Sequence, residues 1–256
     1  MDYCRFGQGQ ETLVIIPGLS AQSVLGFAET IAESYQALVA DFTIYVLDRR
    51  NEMPVAYSVR EMAKDTAIAL QALGLGMVCL FGASQGGMIA MKIATDHPEL
   101  VKRLILGSTS AQVTEARYDQ TFKGWADMAR AGDVASLYLA FGKAIYPTPV
   151  FEQTRQLLLD AAKTVTEEEL HRFAIQTEGM KGFDIREDLK KIACPVLVLG
   201  SRDDQVLGGE ASVQIAEQIQ DCELYMYDGY GHAVYDLAPD YRERMKHFLV
   251  NYETDQ

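Results

Sequence analysis

The sequence predicts an α/β fold, a mostly parallel sheet with helices on both faces, from two observations. Short β-branched runs recur along the chain, and stretches of helical spacing separate them. In the middle this alternation stops. Residues 112–189 carry helical patterns and no convincing strand, which predicts a helical insertion in a single core made of residues 1–111 and 190–256.

The elements follow in order. Tyr3-Cys4-Arg5-Phe6, with a Gly7-Gln8-Gly9 turn behind it, reads as an antiparallel edge hairpin leading into Leu13-Val14-Ile15-Ile16. That run ends at Pro17-Gly18, and helical spacing over 27–38 leads to Thr43-Ile44-Tyr45-Val46-Leu47, which stops at Asp48. Helices over 59–73 and 86–96 flank the apolar run Met77-Val78-Cys79-Leu80-Phe81. Arg103-Leu104-Ile105-Leu106 and Val196-Leu197-Val198-Leu199 are further strands, closed by Gly107 and Gly200. A helix over 209–219 precedes the last strand, Leu224-Tyr225-Met226-Tyr227, and a helix over 239–252 follows it. Inside the insertion, 118–131 and 151–163 are helical. The aromatics there, Tyr118, Phe122, Trp125, Tyr138, Phe141 and Tyr146, suit a core as well as a pocket wall, so none is assigned to binding.

Composition excludes several functions. A formal net charge of -13 repels phosphate backbones and anionic membrane surfaces, which argues against a nucleic-acid partner. The longest apolar stretch, 67–83, is broken by Gln71, Gly74, Gly76 and Gly82 and predicts helix, turn and strand rather than a membrane span. Residues 1–10 have neither a basic start nor an apolar centre, so a cytoplasmic location is expected. Cys4, Cys79, Cys194 and Cys222 show no metal or redox spacing and read as free thiols. Nucleotide-cofactor chemistry lacks a phosphate cradle: neither G-x-G-x-x-G nor G-x-x-x-x-G-K-[ST] occurs, and H-E-x-x-H is absent too.

The chemistry concentrates at Gly82-Ala83-Ser84-Gln85-Gly86, which joins an apolar strand to a helix. A serine on such a corner either caps the helix or stands exposed as a nucleophile, in which case small residues two positions away let strand and helix approach. Serine needs a base, and the base needs an orienting acid. His232, in Gly229-Tyr230-Gly231-His232-Ala233 after the last strand, is the candidate base; His97 at a helix end, His171 in the insertion and His247 in the last helix fit structural roles. Asp203 and Asp204 follow the strand ending at Gly200.

The order Ser84, Asp203, His232 on successive strand ends resembles the α/β-hydrolase fold superfamily over essentially the whole chain. The resemblance implies a serine hydrolase with a helical cap. In that family the acid commonly lies three residues after the glycine ending its strand, with valine three further on, which selects Asp203 between Gly200 and Val206 and leaves Asp204 as the alternative. It also implies an oxyanion hole from the amides of Gln85 and Leu19, the latter in Pro17-Gly18-Leu19-Ser20. Many relatives carry His-Gly at this turn, and Asp-Arg-Gly where this chain has Asp48-Arg49-Arg50. Arg49 and Arg50 suit ion pairs with nearby acids or a substrate carboxylate, and Ser20 a turn or an extra donor.

The implied function is metal-independent, cofactor-free hydrolysis of a small carboxylic ester or related acyl substrate through an acyl-enzyme. Two alternatives belong to the same fold: hydrolysis of a C–C bond in a β-diketone-like substrate, and small-molecule binding without turnover. Composition and motifs leave the oligomeric state open.

Overall fold

β-branched and apolar runs become strands, and their alternation with helices builds the sheet. The computed structural model describes residues 1–251, with strands β1 (Tyr3–Gly7), β2 (Glu11–Ile16), β3 (Phe42–Leu47), β4 (Val78–Ala83), β5 (Val101–Gly107), β6 (Val196–Ser201) and β7 (Cys222–Tyr227). They pair in the order β1-β3-β2-β4-β5-β6-β7, with β1 antiparallel to β3 and every other pairing parallel. β4 and β5 lie mid-sheet, so β4 delivers its C-terminal end to a position flanked by neighbouring strands.

The expected edge hairpin is corrected. β1 is antiparallel and at the edge, but it pairs with β3 and not with β2. β2 already has parallel partners on both sides, and Gly7 and Gly9 take the chain across the start of β3: a Cβ on either would sit inside the backbone at Asp41 and Phe42. Gln8 N–H donates to Val39 O and Glu11 N–H to Asp41 O, which fixes this crossing.

The helices of the core are α1 (Ala28–Ser34), α2 (Val59–Ala72) and α3 (Gln85–Asp96). Between β5 and β6 the chain forms α4 (Glu115–Arg117), which runs through a π-helical stretch Tyr118–Phe122 into α5 (Lys123–Ala131), then α6 (Val134–Ile145), α7 (Thr148–Ala162) and α8 (Glu167–Glu178). The remainder are α9 (Gly209–Gln218), α10 (Val234–Leu237) and α11 (Tyr241–Asn251). The helix expected over 239–252 is thus shorter at its start, and Tyr252 lies outside the described residues.

Period-two alternation divides the core between the two faces of the sheet. Val14, Ile16, Leu80, Leu104, Leu106, Val196 and Val198 pack with α2, α3 and the inserted helices. Leu13, Ile15, Cys79, Phe81, Ile105, Leu197 and Leu199 pack with Leu38 and with Tyr241, Met245 and Phe248 of α11. α3 is buried from Gln85 to Ala94, as the central helix of such a sandwich must be. Capping boxes at Ser58/Glu61 and Thr166/Glu169 start α2 and α8. Among the described residues, no helix is long and apolar enough to cross a membrane.

Candidate active site

Ser84 sits between β4 and α3 with φ 51 and ψ -121, a backbone state that costs a non-glycine residue on the order of 1–3 kcal/mol. Its surroundings hold it there. Ser84 N–H donates to Gly107 O (2.8 Å), and Ser84 O accepts from Thr109 Oγ1 (2.7 Å) and Gly87 N–H (2.9 Å). The flanking glycines are sterically required: a Cβ on Gly82 would collide with the Gly86 carbonyl, and one on Gly86 with the Ile16 and Pro17 carbonyls. Ser84 occupies the N-cap position of α3, yet its side chain makes no capping bond. It faces His232 instead, with Oγ 2.9 Å from Nε2.

His232 is buried (2% exposed) in the loop after β7. Its Nδ1 lies 2.8 Å from Oδ2 of Asp204, and here the expectation of Asp203 is corrected. Asp204 Oδ1 accepts from the Val206 and Leu207 amides, so both carboxylate oxygens are engaged. Burial works to raise the Asp204 pKa, but the facing imidazole and these hydrogen bonds outweigh it and hold the carboxyl below its ordinary value. Asp203 points under the histidine loop: Oδ1 accepts from Ser201 Oγ (2.6 Å) and Gly229 N–H (3.1 Å), and Oδ2 from Gly231 N–H (3.1 Å). Two adjacent acids therefore divide the work, one facing the ring and one anchoring the loop that carries it. On the other side, Ala233 N–H donates to Ile145 O at the end of α6.

Leu19 lines the same small chamber as Ser84, and Gln85 directly follows Ser84 at the start of α3. Gly18 lies against the serine: a Cβ there would come within 3.2 Å of Ser84 Cβ. Gln85 is the first residue of α3, so its amide is one of those a helix leaves without an internal acceptor. Ser20 Oγ donates to Gln22 O (2.7 Å), a turn role. Arg50 pairs with Asp65 (3.2 Å), as expected of a partly exposed arginine.

Arg49 forms no salt bridge among the described residues. It is buried (2% exposed), and its Nη2 donates to Pro17 O (2.7 Å) and to Gln85 Oε1 (3.2 Å). Burial lowers its pKa to about 10, against the opposing pull of the Asp48 carboxylate, so the guanidinium stays charged at neutral pH. Its backbone N–H donates to Asp48 Oδ1.

Ser84 and His232 open into a small chamber of about 20 Å³ walled by Phe122, Trp125, Phe141 and Met180, enough for a water or a methyl-sized group. A larger cavity of about 310 Å³ shares its Leu19, Phe141, Ile145 and Tyr235 wall and runs past Gly18 toward Val24, Phe27 and Ile31. Phe122, Trp125 and Phe141 form a ring cluster with centroids 5.4 and 4.7 Å apart. They are both core and pocket wall, a distinction that helical spacing does not draw.

The family model for the alpha/beta hydrolase fold matches residues 11–239, and the chain belongs to that family. Curated relatives named "Putative carbamate hydrolase RutD" are similar over nearly their whole length: one from Rhizobium rhizogenes is 26% identical, covering 93% of this chain and 92% of the relative, and one from Agrobacterium fabrum is 27% identical, covering 93% of each. Among solved structures, the enol-lactonase from Burkholderia xenovorans LB400 superimposes with TM-score 0.82 at 19% identity over 97% of this chain and 95% of its own. An esterase from Thermogutta terrifontis has the same TM-score and identity, covering 99% and 94%. At these identities the structural likeness is one of fold.

Proposed function

We propose that the chain is a serine hydrolase acting on a small carboxylic ester or related acyl substrate through Ser84, His232 and Asp204. The observation that carries this reading is the continuous line from Ser84 Oγ to His232 Nε2 (2.9 Å) and from His232 Nδ1 to Asp204 Oδ2 (2.8 Å) beside a cavity. With Nδ1–H donated to Asp204, the Nε2 lone pair is left to take the serine proton.

Ser84 Oγ attacks the acyl carbon as its proton passes to Nε2, and the carbonyl oxygen becomes an oxyanion received by the Leu19 and Gln85 amides. One such donor contributes roughly 3–4 kcal/mol to transition-state stabilisation. Collapse expels the alcohol, which takes the proton from Nε2, and leaves an acyl-serine. Water then repeats the sequence with His232 as base, releasing the acid and restoring Ser84. In this reading residues 112–189 act as a cap that shapes the substrate, with one side of the scissile group in the aromatic chamber and the other in the larger cavity.

A second reading, carbamate hydrolysis, rests on the names of the curated relatives. The chamber at Ser84 and His232, about 20 Å³, admits a group as small as carbamate, and the ester reading draws on the adjoining cavity of about 310 Å³, which shares the Leu19, Phe141, Ile145 and Tyr235 wall and has room for a larger substituent. Initial rates over esters of graded chain length, lactones, a β-diketone and carbamate, with Ser84→Ala as control, test the choice. Ester or lactone turnover that vanishes in Ser84→Ala supports the proposal; turnover of carbamate or the diketone alone overturns it.

A further inference from the structure

Arg49 occupies an expensive position for a residue that contacts neither solvent nor the catalytic side chains. Its guanidinium is buried and makes no salt bridge among the described residues, although the Asp48 carboxylate acts on it from a greater distance, and its Nε is a buried donor with no hydrogen-bond partner there. A charge buried with a donor unpaired costs stability, so packing alone does not account for it. What it touches is specific. Nη2 reaches the carbonyl of Pro17, one peptide before the Gly18-Leu19 peptide that carries the Leu19 N–H, and the side chain of Gln85, whose own N–H is the other expected donor.

The two strands of this contact belong to different loops. Pro17 ends the turn after β2, and Gln85 begins α3 after the elbow; they meet because Gly86 has no side chain to keep the Ile16 and Pro17 carbonyls away. Gln85 extends the line further, since its Nε2 donates to Gln176 O (2.8 Å) on α8. Arg49, Gln85 and Gln176 thus tie the turn after β2, the elbow and an inserted helix together through buried groups.

We propose that Arg49 is a positioning residue that sets the separation of the Leu19 and Gln85 amides and links that setting to the inserted helices through Gln85 and Gln176. This rests on the reading of those amides as the oxyanion site. Because Arg49 acts through backbone groups that matter most when charge develops on the oxyanion, its removal lowers kcat and leaves KM nearly unchanged.

The test compares wild type with Arg49→Met and Arg49→Lys, the first of similar length without charge and the second retaining one donor group. Thermal melts establish folding, kcat and KM are measured on the best ester, and amide hydrogen exchange is followed at Leu19 and Gln85. The expected result is a folded Arg49→Met with a modestly lower melt, since Pro17 O and Gln85 Oε1 lose their donor, kcat lower by roughly 10- to 100-fold with KM within about threefold, faster exchange at both amides, and partial recovery in Arg49→Lys. Unchanged kcat and exchange in folded Arg49→Met overturns the inference, and so does a rise in KM at constant kcat, which would mark a substrate contact. The exchange measurement needs no substrate. A wild type inactive on every acyl substrate therefore overturns the proposed function, while exchange still decides on Arg49.

Discussion

The adjacent acids Asp203 and Asp204 make opposite predictions for the same conservative change. In Asp204→Asn the amide oxygen can still accept from Val206 and Leu207, which turns the NH₂ toward His232 in place of Oδ2. An NH₂ donor there forces Nδ1 to accept, moves the ring proton to Nε2, and leaves no lone pair for the Ser84 hydroxyl. The loss expected from a wrong tautomer is about 10⁴-fold in kcat, or roughly 5.4 kcal/mol, with the fold intact. In Asp203→Asn only one oxygen remains for the three donors from Ser201, Gly229 and Gly231, and the NH₂ meets an N–H head-on. An unpaired donor costs about 1 kcal/mol at this half-buried position, or roughly 2–4 °C in Tm, while the ring keeps its tautomer and kcat falls less than about tenfold. Steady-state kinetics on a p-nitrophenyl ester and thermal melts read both effects. A large kcat loss in Asp203→Asn with activity retained in Asp204→Asn would refute the assignment.

Three further outcomes follow from the same geometry. Gly86→Ala places a Cβ inside the Ile16 carbonyl, so the variant either fails to fold or loses Ser84 reactivity; a well-folded, fully active Gly86→Ala by circular dichroism and kinetics contradicts the close approach. Asp203 is held below its ordinary pKa: burial opposes this, and the hydrogen bonds from Ser201, Gly231 and Gly229 prevail. A carboxyl depressed on folding contributes stability that is full above its unfolded value, near 3.9, and is lost as pH falls through the folded value, so the Tm gap between wild type and Asp203→Asn narrows between about pH 5 and about pH 3; a gap that is constant or widens contradicts it. Phe141→Ala removes the wall shared by the chamber and the larger cavity, shifting the preferred ester toward longer or bulkier groups in a chain-length series, and an unchanged optimum excludes Phe141 from the substrate wall.

Ser84 and His232 are more legible in the sequence than the residues packed around them. The two, which the structure brings within 2.9 Å of each other, each follow a local pattern: a glycine-flanked corner between strand and helix, and a glycine-flanked loop after the last strand. Strands such as Val196–Ser201 are equally clear, since a short unbroken apolar run closed by glycine suits a strand buried on both faces. The choice between Asp203 and Asp204 was not local. It depends on how the turn after β6 rotates two neighbouring side chains, one toward the ring and one toward the Gly229 and Gly231 amides, and both carboxylates are chemically equal in one dimension. The partner of β1 is not legible for a related reason: strand pairing is decided by which edge is vacant, and Gly7 and Gly9 serve a chain crossing as readily as a hairpin. The burial of Arg49 is not legible in the sequence, where a charged residue suggests an ion pair or a substrate contact, because its partners, Pro17 O and Gln85, lie 32 and 36 residues away. The Thr166-x-x-Glu169 box that starts α8 was a readable signal for one inserted helix.

The central claim is that Ser84 is a nucleophile activated by His232. Intact-mass and peptide measurements after treatment with an alkyl fluorophosphonate test it most directly. One adduct is expected, mapped to Ser84, absent from Ser84→Ala and formed much more slowly in His232→Ala. Folded wild-type protein that remains unlabelled, or is labelled elsewhere, would contradict it.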